Sequence, residues 1–461
     1  MVATLNRMIE PKKKFADGVR PFTNAALFAM IVPLLVEQLL QVVVGLADTL
    51  MVSYAGEATV SGVSLDTMIY TIFLYLFTAV ATGGAVIVSQ YLGNHNRENA
   101  ELAAAQIFHI NAVLSVVCMV AMLFLGNTVL SGLYGSVEPA VMDACRVYLR
   151  IVILSFPANA VYNAGAALFR SMGKTRATML VSIATNLINV IGNAVGIFLL
   201  RAGAAGVAWP TTISWYFAAF VMTALCLSKK NDVCLRLRKA LLPHKTMEMR
   251  ILRIAVPGGI ENGLFQMAKV VLGSLIATLG TAQIAANGIG QTIWSFAALV
   301  SVALSPVYIT VVGQCMGAGD PDAADYYMRK LTRLTVILST AWNVAVLLVL
   351  PAFLPLYDIT AETKQLVLII VIIHNVFASV IQPFSMPLAA GLRAAGDVRF
   401  TMYSALFCTI VLRTALSFVL ALWLHMGVIG IALAMGIDWT VKAALDVIRY
   451  QKGKWRDLRI I

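Results

Sequence analysis

The chain has 461 residues, 60% of them apolar and only 12% charged, with mean hydropathy +0.85 and a net charge of +12. Soluble domains carry about twice that charged share, which excludes a cytosolic enzyme and, despite the positive charge, a disordered or nucleic-acid-coating protein. Apolar runs of about 20 residues or more recur from Asn24 to Tyr450 without the alternation of barrel strands, so the chain reads as an all-α polytopic membrane protein.

The residues ahead of the first run include Lys12, Lys13 and Lys14. The run itself is far longer than the apolar core of a signal peptide, and an uncleaved first span is expected over 25–53. On it, Glu37, Gln41, Gly45 and Asp48 recur at i, i+4, i+8 and i+11 and share a sector about 80° wide. Further spans are expected at 61–89, 101–125 and 145–169. The fifth, 178–200, sets Asn186, Asn189 and Asn193 on one face, and the sixth, 205–228, has Thr211 near its start. With the N-terminus in the cytoplasm, the first and fifth helices both run outward. Asp48 and Asn193 then lie at one depth, about 10 Å from the outer ends. A carboxylate and two amide oxygens at one level suit Na⁺, or a proton on Asp48, with Gln41 and Thr211 as neighbours.

The basic stretch 229–250 is expected to be a cytoplasmic linker between an N-lobe, 1–228, and a C-lobe, 251–461. The seventh span, 251–279, carries Glu261, Asn262, Gln266 and Lys269. The eighth, 284–312, follows Gln283 and places Asn287 and Gln291 on the same stripe. The ninth falls at 332–353. The tenth, 364–390, has His374, Asn375 and Gln382, with Pro383 and Pro387 expected to kink it. The last two span 400–423 and 429–450, and Asp438 and Lys442, at i and i+4, are expected to pair. Glu37, Glu261, Gln266, Asn287, Gln291 and Gln382 are expected to line a substrate cavity, with Glu261 meeting a cationic substrate or a proton.

The breaks carry turn chemistry: Gly93–Asn96, Gly135-Ser136, Gly173-Lys174, Pro243-His244, Gly317–Pro321 and Gly396-Asp397. Twelve spans with both termini cytoplasmic place 27 of the 34 Lys and Arg inside, against Arg201 and Lys364 in outside loops. The halves also repeat. Pro33, Glu37, Gly56, Gln90 and Gly93 match Pro257, Glu261, Gly280, Gln314 and Gly317 at 224 positions, and Arg170, Gly173 and Arg176 match Arg393, Gly396 and Arg399 at 223. Two parallel six-helix repeats around a central cavity suit alternating access.

The six cysteines are scattered and never spaced CxxC, and read as small buried hydrophobes. There is no phosphate loop, HExxH or nucleophile elbow, so no enzyme and no cofactor are expected, and an ion gradient must supply the energy.

Pro33–Gln38, Gly45–Val52, Ser89–Gly93, Val312–Asp320 and Leu392–Asp397 together resemble the multidrug and toxic compound extrusion (MATE) family over nearly the whole chain. The resemblance implies an antiporter in the plasma membrane, working as a monomer, that exports organic cations or other toxic compounds against Na⁺ or H⁺. It matches Asp48 to the family's first-helix acid and Asn189 to an Asn of the fifth-helix site in the DinF-like branch, which has Asp where this chain has Asn193. The NorM-like branch has acids where this chain has Phe265 and Gln382, which favours coupling in the first lobe. A lipid or lipid-linked oligosaccharide flippase of the same superfamily is the alternative.

Overall fold

The computed structural model describes residues 10, 22–135, 137–356 and 359–461. Arg7, Lys12, Lys13, Lys14 and Arg20, which help to orient the chain, and Ser136 of one expected break lie outside the described residues. Among the described residues there are helices and turns and no strands.

Among the described residues, and apart from the short helix Leu237–Ala240, the long helices group into twelve in chain order. They are α1 (Asn24–Ser53), α2 (Glu57–Gly93), α3 (Arg97–Tyr134), α4 (Pro139–Ser171), α5 (Thr175–Leu199) and α6 (Ala205–Cys226). Then come α7 (Lys245–Ala277), α8 (Thr281–Ala297 and Leu299–Gly317), α9 (Pro321–Phe353), α10 (Ala361–Val380, Gln382–Ser385 and Pro387–Ala394), α11 (Val398–Trp423) and α12 (Gly427–Gln451). Ten of them are long and apolar enough to cross a membrane. The other two are α6, which is rich in Thr, Ser and aromatic residues, and α7, which holds Glu261, Asn262, Gln266 and Lys269.

Helices outrun the expected spans because hydropathy reports the apolar stretch and not the capped turns beyond it. Asn96 caps α3 by accepting from the Asn99 N–H at 3.1 Å, and Asp320 caps α9 by accepting from the Ala323 N–H at 2.8 Å. The expected breaks of α10 fall at Pro383 and Pro387, each just inside a new helical piece.

The repeat is written into the backbone. Left-handed or otherwise positive φ occurs in matched pairs: Gly56 with Gly280, His95 with Gly319, Gly173 with Gly396, Arg201 with His425 and Gly203 with Gly427. All are 224 positions apart except Gly173 and Gly396, at 223. The caps Asn96 and Asp320 keep the same offset, as do the wide π-helical turns Val195–Leu199 and Val419–Trp423 that end α5 and α11.

Two compact units result, Val36–Gly259 and Ile260–Ile461 together with residues up to Leu35. The division falls within α1 and α7, two residues after Pro33 and two after Pro257, and not in the basic stretch 229–250. That stretch packs into the first unit. Gln106 on α3 donates to Lys239 O at 2.9 Å and Leu242 O at 3.1 Å, and its own oxygen accepts from the His244 N–H at 2.9 Å. The first unit's core gathers Phe77, Leu130, Val152 and Phe156, and the second unit's gathers Ala286, Val367, Val371 and Val428. Phe124, Phe220, Leu348 and Trp423 stand outside, each at least 75% exposed, as side chains bathed in lipid do.

Candidate functional site

In the first unit, three helices bring polar groups to Asp48. It sits five residues before the end of α1, about 8 Å along the axis, and Asn193 on α5 and Thr211 on α6 lie at similar distances from their helix ends. Asn193 Nδ2 donates to Asp48 Oδ1 at 3.0 Å and reaches Asn189 Oδ1 at 3.2 Å. Asn189 Nδ2 donates to Thr211 Oγ1 at 3.1 Å, and that hydroxyl donates to Val207 O at 2.9 Å. Turned end for end, the Asn189 amide donates to both Asp48 oxygens at 3.1 Å and accepts from Thr211 at 3.1 Å. Asn193 Oδ1 is buried with no hydrogen-bond partner among the described residues.

Glycines make this convergence of α5 and α6 possible. A Cβ on Gly192 would lie 2.6 Å from Pro210, and one on Gly206 would lie 2.7 Å from the Gly196 carbonyl oxygen. The helices therefore touch backbone to backbone beside Asn193 and Thr211. A π-helical turn begins at Val195, directly after this polar stretch, and such turns recur at functional sites.

The donor set of one carboxylate, two amide oxygens and a hydroxyl fits a hard monovalent cation, and the carboxylate alone takes a proton. Asn186 stays apart, with its Nδ2 lacking a partner among the described residues. Gln41 is not part of the cluster. It is exposed and makes no side-chain hydrogen bond among the described residues. Its angular position matches Asp48, but seven residues separate them, about 10 Å along the helix.

The two glutamates expected to face a substrate are occupied. Glu37 is 2% exposed; Arg170 Nη2 donates to it at 2.6 Å and Thr178 Oγ1 lies 3.1 Å from its other oxygen. Glu261 repeats the arrangement with Arg393 Nη1 at 2.8 Å, and Lys442 Nζ takes its second oxygen at 3.3 Å. Each carboxylate is thus paired with cations from its own unit. The expected Asp438–Lys442 pair is also replaced. Arg413 on α11 reaches Asp438 with two nitrogens, and Lys442 turns to Glu261. A guanidinium fork outcompetes a helix-local ammonium for a buried carboxylate.

Of the neutral residues expected to line a cavity, Gln382 is buried and Gln266, Asn287 and Gln291 are half-buried. The Oε1 atoms of Gln266 and Gln382 have no hydrogen-bond partner among the described residues. Gln283, on the same stripe, accepts from the Val428 N–H at 2.9 Å and so anchors α12. Among the described residues no three or more His, Cys, Asp or Glu are placed to hold a metal ion.

Asp66 is a buried acid that escaped the sequence reading: on α2, it has no side-chain hydrogen bond among the described residues, and the Leu149 backbone is its polar neighbour. It lies one turn from Gly62, whose added Cβ would meet Cys145 N at 3.0 Å, and one turn from Tyr70, whose hydroxyl is 3.2 Å from Ser155 Oγ. It therefore packs on α4. A lone acid in an apolar span is the signal that marks it.

Known proteins share this sequence and architecture. The MatE family model matches residues 33–195 and 257–419, two segments related by the 224-position offset. An uncharacterized transporter of Bacillus subtilis, YisQ, is 28% identical over 441 residues, covering 93% of this chain and 94% of its own. A probable multidrug resistance protein NorM of Thermotoga maritima is 23% identical over 453 residues, covering 96% and 95%. A solved outward-facing multidrug resistance MATE family transporter superposes with a TM-score of 0.86 at 18% identity, over 97% of this chain and all of that one, which shows a common fold.

Proposed function

The chain belongs to the MatE family, and from that premise we propose that it is a secondary active antiporter that exports small toxic molecules in exchange for Na⁺ or H⁺ bound at Asp48. As a member it is a multi-pass membrane transporter of the multidrug-efflux kind. The observation that carries the coupling assignment is the network from two other helices at Asp48 of α1: Asn193 donates to its carboxylate and reaches Asn189, which in turn bonds Thr211.

The physics supports that role. A charge within the membrane is tolerated where it has a task. Here Asn193 Nδ2 faces the carboxylate, and Asn189 turns either its oxygen or its nitrogen to it according to the amide's orientation, so both amides can offer oxygens to an arriving cation by rotation. One elementary charge moving down 100 mV supplies about 2.3 kcal/mol, enough to drive an uphill exchange. Alternating access by rocking of the two repeats fits the duplicated design, and the bias of Lys and Arg fits a bacterial cell membrane with both termini in the cytoplasm. Glu37 and Glu261 carry no preference for cationic cargo, since Arg170, Arg393 and Lys442 neutralise them.

The test is substrate export from proteoliposomes with an imposed Na⁺ or H⁺ gradient. Export that rises with one gradient and collapses with the matching ionophore supports the reading. Export indifferent to both gradients contradicts it.

A further inference from the structure

In the second unit, Glu261 takes Arg393 and Lys442, Asp438 takes Arg413, and Asp446 has the Ser404 hydroxyl at 3.3 Å, with its other oxygen unpartnered among the described residues. Lys269 on α7 has no carboxylate within ion-pair distance among the described residues. Its ammonium lies instead over the Phe265 ring, 5.0 Å from the centroid. Arg413, 3% exposed, presents its guanidinium to the same ring at 5.4 Å. Two cations sharing one aromatic ring repel each other, and a ring quadrupole compensates a charge only weakly. Arg413 has Asp438, so Lys269, which is exposed, is the cation here that can take a further carboxylate.

Beside it stands an aromatic wall. Trp294 on α8 and Trp439 on α12 stack with centroids 4.4 Å apart at 20°, and His374 on α10 meets Trp294 edge-on at 5.7 Å. His374, in ring contact with both Trp294 and Trp439, lies within electrostatic reach of Arg413, so the wall and the cations adjoin. His374 is 3% exposed, yet neither ring nitrogen has a hydrogen-bond partner among the described residues. A buried imidazole N–H without an acceptor is an open demand for one.

From this juxtaposition of Lys269, Arg413 and Phe265 with the Trp294–Trp439 stack and His374, we infer that the second unit binds the carboxylate of an aromatic substrate. The carboxylate pairs with Lys269, and the ring lies along the indoles. The inference rests on the exporter reading, deepens it by naming a substrate class, and leaves coupling at Asp48 in the other unit.

The experiment uses the full chain purified in detergent and two matched probes, 9-anthracenecarboxylate and 9-(aminomethyl)anthracene, titrated by tryptophan quenching. The carboxylate is expected to bind the tighter of the two. Lys269→Met is expected to weaken the carboxylate by about tenfold or more, the size of one charged hydrogen bond, and to leave the ammonium probe unchanged or tighter. Lys269→Arg is expected to keep most of the carboxylate affinity, and a melting curve confirms that each variant is folded. Tighter binding of the ammonium probe by the wild type, or equal effects of Lys269→Met on both probes, overturns the inference. An unchanged carboxylate affinity in Lys269→Met overturns it too, and leaves Lys269 as a side chain that reaches for the membrane surface. Gradient-driven export of a neutral substrate by Lys269→Met, measured alongside, separates failure of this site from failure of the exporter reading.

Discussion

Asn193 donates its amide to Asp48 across 3.0 Å, joining residues 145 positions apart in the chain. The contact ties α5 to the end of α1 where a carboxylate, two amides and a hydroxyl meet. Replacing Asn193 by Ala removes an oxygen ligand and a donor together. The ion concentration for half-maximal export is expected to rise about three- to tenfold, with the maximal rate little changed. Asn193→Asp, which keeps the oxygens, is expected to retain coupling. The check is export rate against imposed ion concentration.

Gly192 sets the separation of α5 and α6. Gly192→Ala places a methyl 2.6 Å from Pro210 and forces the helices apart. Overpacking of this kind costs about 1–3 kcal/mol, and it draws Thr211 away from Asn189. A lower melting temperature together with weaker ion dependence is expected. A variant as stable and as ion-sensitive as wild type contradicts the close-packing account.

Glu37 and Glu261 are expected to behave as structural twins. Glu37→Gln leaves Arg170 without its carboxylate, and losing one member of a buried ion pair costs about 3–5 kcal/mol. Glu261→Gln strands Arg393 and Lys442 together. Both variants are expected to melt earlier, and the folded fraction to export cationic and neutral substrates in the wild-type ratio. A selective loss of cationic export in Glu261→Gln returns that residue to the substrate site.

Asp66 gives the opposite sign. A buried carboxyl group that no cation neutralises is destabilising, and Asn keeps its shape without the charge. Asp66→Asn is expected to melt at or above the wild-type temperature and to keep gradient-driven export. A marked drop in melting temperature shows that the carboxyl group has a partner essential to packing.

These residues also show where sequence reasoning holds. Period and depth put Asp48, Asn189, Asn193 and Thr211 at one level, and the structure brings them into one hydrogen-bonded group, because residues on helices of known direction can be placed along the membrane normal. Period alone misplaced Gln41, which shares the angle of Asp48 but not its level. The repeat paired Glu37 with Glu261 and Arg170 with Arg393, yet the salt bridges between them stayed hidden, since their partners lie 133 and 132 positions away. Glu37 and Glu261, from which a cationic cargo is expected, both have such partners. Asp438 and Lys442 failed for the same reason: helical spacing names the nearest partner, and Arg413 from α11 is the better one.

The central claim is that the coupling ion binds at Asp48. The most direct measurement is export from proteoliposomes driven by an imposed gradient of the coupling ion, comparing wild type with Asp48→Asn at equal amounts of folded protein. The account predicts that Asp48→Asn loses the gradient-driven component and still binds substrate. Wild-type gradient-driven export by Asp48→Asn would contradict it.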